Sequence, residues 1–210
     1  MLASLPPKLQ HTKLGETTIT ELILASSSPF RRELLERLQI PFQSHAPDID
    51  ESALPGESLD AQVRRLALAK ARALDTAHPA ALIIGSDQLA TCEGQVFGKP
   101  GDYQRALKQL RCISGRSLQF KTGLCLLNTS SGREQVDCIE YTVHFRDLSE
   151  EEIQRYLERE QPFNCAGSFK SEALGISLVR SMEGTDPSAL IGLPLVRLGQ
   201  MLREEGVNLP

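Results

Sequence analysis

Residues 22–38, LILASSSPFRRELLERL, change period within a few positions. Residues 22–25 form an apolar run suited to a buried strand, while Leu34, Leu35 and Leu38 recur at helical spacing. Ser28 is a good helix N-cap and Pro29 a favoured first helical residue, so the strand passes into the helix through one short turn. That turn holds three serines and two adjacent arginines, an unusual concentration of hydroxyl and positive groups.

The rest of the chain continues to mix the two periods. Residues 39–46 read as a turn into a second strand, followed by the acidic loop PDIDES. Residues 58–76 read as a long helix, and residues 81–84 as a short buried strand ending at Gly-Ser-Asp-Gln. A hairpin turn at Glu93-Gly94 leads to Gly98-Lys99-Pro100, and residues 103–112 read as a helix. Residues 117–128 and 134–145 read as two strands joined by a Ser-Gly turn. Ser149 and Glu152 make a capping box for a helix ending near Glu160, and residues 194–205 a last helix stopped by Gly206. Strands, helices and hairpins in this mixed order predict one α/β domain over residues 21–210, with a mixed twisted sheet flanked by helices. Residues 1–20, with two prolines and scattered polar groups, read as a flexible extension outside that domain.

The 210 residues, 40% of them hydrophobic, suffice for a well-formed core. A formal net charge of −4 argues against general binding to nucleic acid or membrane, and only 5% of residues are aromatic. An anionic ligand must therefore be held by a local basic cluster. No apolar run approaches the ~18 residues of a membrane span, and the first twenty lack the apolar segment of a secretory signal. Five cysteines, odd in number and without a CxxC pair, favour reduced thiols in a cytoplasmic protein over disulfides or zinc.

The turn into the first helix presents unpaired backbone N–H groups at the positive end of the helix dipole. Serine hydroxyls add donors, and Arg31 and Arg32 add charges suited to phosphate, so ASSSPFRR has the makings of a phosphate cradle. On this segment alone, a capped surface helix with solvated arginines remains open. Glu51 in DIDE and Asp87 in GSDQ fall where a loop or strand is expected to end, a usual place for catalytic groups and for carboxylates that hold Mg²⁺ or Mn²⁺ beside phosphates. Lys99, between a glycine and a proline, is rigidly placed for a phosphate contact. Lys70, inside LALAKARAL, reads equally as an exposed lysine. Together these groups suggest metal-assisted attack on a polyphosphate.

The combination of ASSSPFRRELL, DIDES, GSDQ, GKP, CAGSFKSEALGISL and MEGTDPSALIGLPL resembles the Maf family of nucleoside triphosphate pyrophosphatases, from Leu22 to the C-terminus. The resemblance implies a fold shared with inosine-triphosphate pyrophosphatases, two-lobed with a central cleft. It also implies hydrolysis between the α and β phosphates, a divalent cation (Mg²⁺, Mn²⁺ or Co²⁺) and a homodimer. By the same resemblance, Asp87 is the proton acceptor and, with Glu51, a metal ligand. Ser26, Arg31, Arg32, Lys70 and Lys99 are phosphate-binding, and Phe30, Gln88 and Glu172 select the base.

Where the family's dTTP- and UTP-hydrolysing branch reads SPRR and ADT, this chain has SPFRR and SDQ. It is more similar to the branch acting on 7-methyl-GTP. A phenylalanine at position 30 can stack on the cationic 7-methylguanine, Glu172 can accept from its N1–H and amino group, and Gln88 can offer its amide to base or sugar. The competing arrangement has Phe30 packing the first helix and Glu172 paired with Lys170. Two other functions stay open: a pyrophosphatase for another non-canonical nucleotide, and a non-catalytic nucleotide-sensing regulator of septum formation.

Overall fold

The computed structural model describes residues 21–210; the expected extension over residues 1–20 lies outside the described residues. In chain order the elements are β1 (Glu21–Ala25), α1 (Pro29–Glu36), β2 (Gln43–His45), α2 (Leu59–Arg72), β3 (Ala81–Cys92), β4 (Gln95–Phe97), α3 (Tyr103–Ile113), β5 (Ser117–Asn128), β6 (Arg133–Phe145), α4 (Glu150–Glu160), β7 (Val179–Gly184), α5 (Pro187–Ile191) and α6 (Leu195–Glu204). Two 3₁₀ turns, Ala166–Ser168 and Leu174–Leu178, lie between α4 and β7. The strands form one mixed sheet in the order β2-β1-β3-β5-β6-β7, with β4 added to the far end of β3. β1 runs parallel to β2 and β3, and the remaining pairs are antiparallel.

Side-chain alternation sorts the first half of the sheet into two apolar faces. Ile23, Ala25 and Ile83 face α2 through Ala67 and Ala71. Leu22, Leu24, Leu82 and Ile84 face the other way, onto Leu34 and Leu35 of α1 and Leu198 and Leu202 of α6. The far ends of β3, β5 and β6 enter a second core, where Phe120 and Phe145 pack with Leu110 and Ile113 of α3 and Ile153 and Leu157 of α4. Two lobes therefore share three long strands, and the cleft opens between them.

α2 lies unusually close to the sheet. A Cβ on Gly85 would stand 1.9 Å from the Ala67 carbonyl oxygen, and one on Gly123 would stand 2.1 Å from that of Val63. Only glycine at these two positions lets helix backbone rest on strand backbone. This close seating sets the position of Lys70 one turn further along α2.

Three expectations need correction. β3 does not stop at Ile84; its ladder with β5 runs unbroken from Leu82–Asn128 to Thr91–Gln119, so Asp87 lies in mid-strand rather than at a strand end. The polar residues there mark the crossing of the cleft. β7 and α5 lie in a stretch read as neither strand nor helix; β7 is an edge strand whose side chains are mostly exposed, so it lacks the usual alternation. Pro194 is the N-cap of α6 instead of its first helical residue.

Candidate functional site

The turn from β1 to α1 is built by its own serines. Ser28 caps α1 by accepting from the Arg31 backbone N–H, and the Ser28 N–H donates to Ser26 Oγ at 3.1 Å. Arg31 projects from the first turn of the helix; its Nε donates to the Gly192 carbonyl at 2.8 Å, and Nη1 lies 3.4 Å from Ser26 Oγ. Burial pushes the Arg31 guanidinium below its ordinary pKa, while the charges of Asp87 and Glu51 oppose that shift.

Asp87 projects from the face of β3 that carries Ile83 and Gly85, toward α2. Its register partner on β5 is Gly123, which has no side chain to crowd it. Lys70 reaches it directly: Nζ lies 2.7 Å from Asp87 Oδ1 and 2.7 Å from Glu51 Oε1. Lys70 is buried, which removes the reading of it as an exposed lysine. Its ammonium bridges the two carboxylates while it also lines the cleft. A buried ammonium needs such partners, because an unpaired charge there is strongly unfavourable.

The neighbouring residue points the other way. Gln88 Nε2 donates toward the Ala189 carbonyl at 2.7 Å, the Leu190 carbonyl at 3.2 Å and Thr122 Oγ1 at 3.1 Å. These contacts fasten α5 to the sheet at a residue that also lines the cleft. Ser86 Oγ, 2.9 Å from the carbonyls of Gly123 and Gly192, and Thr122 Oγ1, 2.9 Å from that of Ala189, do the same. Asp186 secures the segment from beyond, capping α5 through the Ser188 N–H and accepting from the Val196 N–H of α6. Sequence reasoning assigned no role to Ser86, Thr122 or Asp186. The available signal was the motif MEGTDPSALIGLPL, whose partners lie far away in the chain.

Ser26, Phe30, Arg31, Glu51, Lys70, Asp87, Gln88, Lys99 and Glu172 line one cleft of about 590 Å³, within the usual size of small-molecule sites. Arg32 is exposed on α1 and is not among the lining residues. One wall comes from the β1–α1 turn, the loop through Glu51, and α2. The other comes from Lys99, Phe120, Asn164, Cys165, Ala166, Phe169 and Glu172. Phe30 is half-buried and faces the cleft. Glu172 is exposed, and Lys170 pairs with Glu160 at 3.0 Å, so the competing Glu172–Lys170 pair does not form.

Among the described residues, no three His, Cys, Asp or Glu side chains converge as a metal cage. Lys70 takes Glu51 Oε1 and Asp87 Oδ1, so the second oxygen of each carboxylate is the one to offer a cation. That donor set fits a hard divalent ion whose remaining ligands are phosphate oxygens and water. The cleft therefore combines anion-binding groups, a clasped carboxylate pair, and an aromatic and acidic region.

The family model described as Maf-like protein matches residues 21–205. The 7-methyl-GTP pyrophosphatase of Pseudomonas aeruginosa is 58% identical over 190 residues, covering 90% of this chain and 99% of that protein. The protein of the same name from Pseudomonas savastanoi pv. phaseolicola is 58% identical over 189 residues, with 90% and 98% covered. That of Alcanivorax borkumensis is 56% identical over 189 residues, with 90% and 96% covered. Among the described residues, no helix is long and apolar enough to cross a membrane.

Proposed function

The chain belongs to the Maf-like protein family, and from that premise we propose that it hydrolyses nucleoside triphosphates, 7-methyl-GTP above others, to the nucleoside monophosphate and pyrophosphate. The observation that carries this reading is the Lys70 ammonium clasped between Asp87 and Glu51, beside Arg31 and Lys99 in one cleft. Arg31, Lys99 and the N–H groups of the β1–α1 turn hold the phosphates. Asp87, oriented by Lys70, accepts the proton of the attacking water. A new bond forms from the water oxygen to phosphorus, the α–β bridge breaks, and pyrophosphate leaves with the electron pair of the broken bond. A divalent cation held by Glu51 and Asp87, when bound, neutralises phosphate charge. The same reading places the protein in the cytoplasm, where nucleoside triphosphates form, and as a homodimer.

Base choice rests on Phe30 and Glu172. N7 methylation gives guanine a delocalised positive charge, which a phenylalanine ring attracts by ~0.5–2 kcal/mol and a carboxylate counters. Gln88 acts one step away, by fixing α5 beside the cleft. A pyrophosphate-release panel across normal and methylated nucleotides tests this. 7-Methyl-GTP should exceed GTP in kcat/KM, with most of that preference lost in Phe30→Arg and in Glu172→Ala. If both variants fold and keep the wild-type ratio, the base is selected elsewhere. A higher kcat/KM for a different modified nucleotide favours the alternative of another non-canonical substrate.

A further inference from the structure

Gln109 on α3 does not line the cleft, yet both ends of its amide are engaged by segments that do. Its Nε2 donates to the Gly98 carbonyl at 3.0 Å, immediately before Lys99. Its Oε1 accepts from Ser168 Oγ at 2.6 Å, at the start of the stretch leading to Phe169 and Glu172. The Gly98 oxygen can only accept, which fixes the nitrogen end of the amide toward it. The Gly167 N–H reaches the same oxygen at 3.3 Å, so loop and turn meet at one carbonyl.

Ser168 is buried and left-handed, with φ at 57°, a conformation that persists in a non-glycine residue only when its surroundings impose it. Gln109 is one of those constraints. Tyr156 is another: its hydroxyl donates to the Ser168 carbonyl and accepts from the Lys170 N–H, each at 3.2 Å. A continuous set of hydrogen bonds thus runs from the Lys99 loop through Gln109 and Ser168 to the segment bearing Glu172.

We infer that Gln109 is a positioning residue that locks the phosphate-binding Lys99 loop to the base-selecting segment, coupling triphosphate binding to base discrimination. This rests on the pyrophosphatase reading of the cleft. Asp87, Lys70 and Glu51 stand on other elements, so the chemical step is left alone. Leucine at position 109 removes both bonds. Glutamate keeps an acceptor for Ser168 but loses the donor to Gly98, separating the two halves of the link.

The test is steady-state pyrophosphate release with 7-methyl-GTP and GTP for Gln109→Leu, Gln109→Glu, Lys99→Ala and the Gln109→Leu, Lys99→Ala pair. Gln109→Leu should raise KM about tenfold, keep kcat within about threefold and lower the preference for 7-methyl-GTP by about fivefold or more. Gln109→Glu should raise KM while keeping the base preference. In the pair, KM should match that of Lys99→Ala alone, because the residues act through one contact. Wild-type KM and base preference in Gln109→Leu, a loss confined to kcat, or KM effects that multiply in the pair would each overturn the inference. Should Gln109→Leu fail to fold, Gln109→Glu with an unchanged KM overturns it equally. A wild-type protein that releases no pyrophosphate from any nucleotide overturns the pyrophosphatase reading itself, and the inference with it.

Discussion

Replacing Asp87 by asparagine should lower kcat by about 10²–10⁴-fold while the protein stays folded. Asparagine keeps the shape and a carbonyl oxygen toward Lys70, so packing beneath α2 is retained. It cannot accept a proton from water, and it carries no charge to hold a cation. The mid-strand position makes this a clean substitution: Asp87 faces Gly123 across the ladder, so no side chain must move. Thermal melting establishes the fold and steady-state pyrophosphate release reads the effect. Near-normal turnover by a folded Asp87→Asn protein would remove Asp87 from the chemical step.

Replacing Lys70 by methionine should abolish turnover and destabilise the fold by about 3–5 kcal/mol, because removing one partner leaves a buried charge uncompensated. Glu51 is well exposed and loses little, whereas Asp87 is buried and keeps only the more distant charge of Arg31. Urea unfolding of a second variant identifies the cause. Adding Asp87→Asn to Lys70→Met should recover part of the lost stability, since the stranded charge is then gone. A double variant no more stable than Lys70→Met alone would mean that methionine fails for reasons of packing instead.

Much of this arrangement was legible in the sequence where signals are local. The capped turn at Ser28-Pro29, the hairpin at Glu93-Gly94 and the box of Ser149 with Glu152 depend on residues within four positions of each other, and all three form as read. The strand-helix order likewise gave the mixed α/β architecture. What escaped depends on distant partners. A buried strand that crosses a cleft turns polar in its middle, and in sequence that looks like a strand that has ended, so the apolar run of β3 stops at Ile84 although the strand continues to Cys92. Neighbours on a strand face opposite sides, so Asp87 meets Lys70 while Gln88 meets α5, about a hundred residues further along the chain.

The paired arginines illustrate the same limit. Successive helical residues are turned by about 100°, so Arg31 and Arg32 leave the first turn of α1 in different directions. Arg31 is held inward by the Gly192 carbonyl, a contact across 161 positions, and Arg32 is left outside. Spacing alone identified a basic cluster; which of its members faces the cleft depended on α5 and the backbone that follows it. Lys70 shows the reverse case. Its apolar surroundings in sequence were correct, and its burial follows from two glycines on neighbouring strands that let α2 settle onto the sheet.

On the proposed reaction, this cleft breaks the bond between the α and β phosphates. Product analysis by ³¹P NMR of the wild-type protein with 7-methyl-GTP and a divalent cation addresses it directly. The expected result is one 7-methyl-GMP and one pyrophosphate per turnover, with no orthophosphate at early times. Orthophosphate appearing with the nucleoside diphosphate, or no hydrolysis of any nucleotide by folded protein, would contradict it.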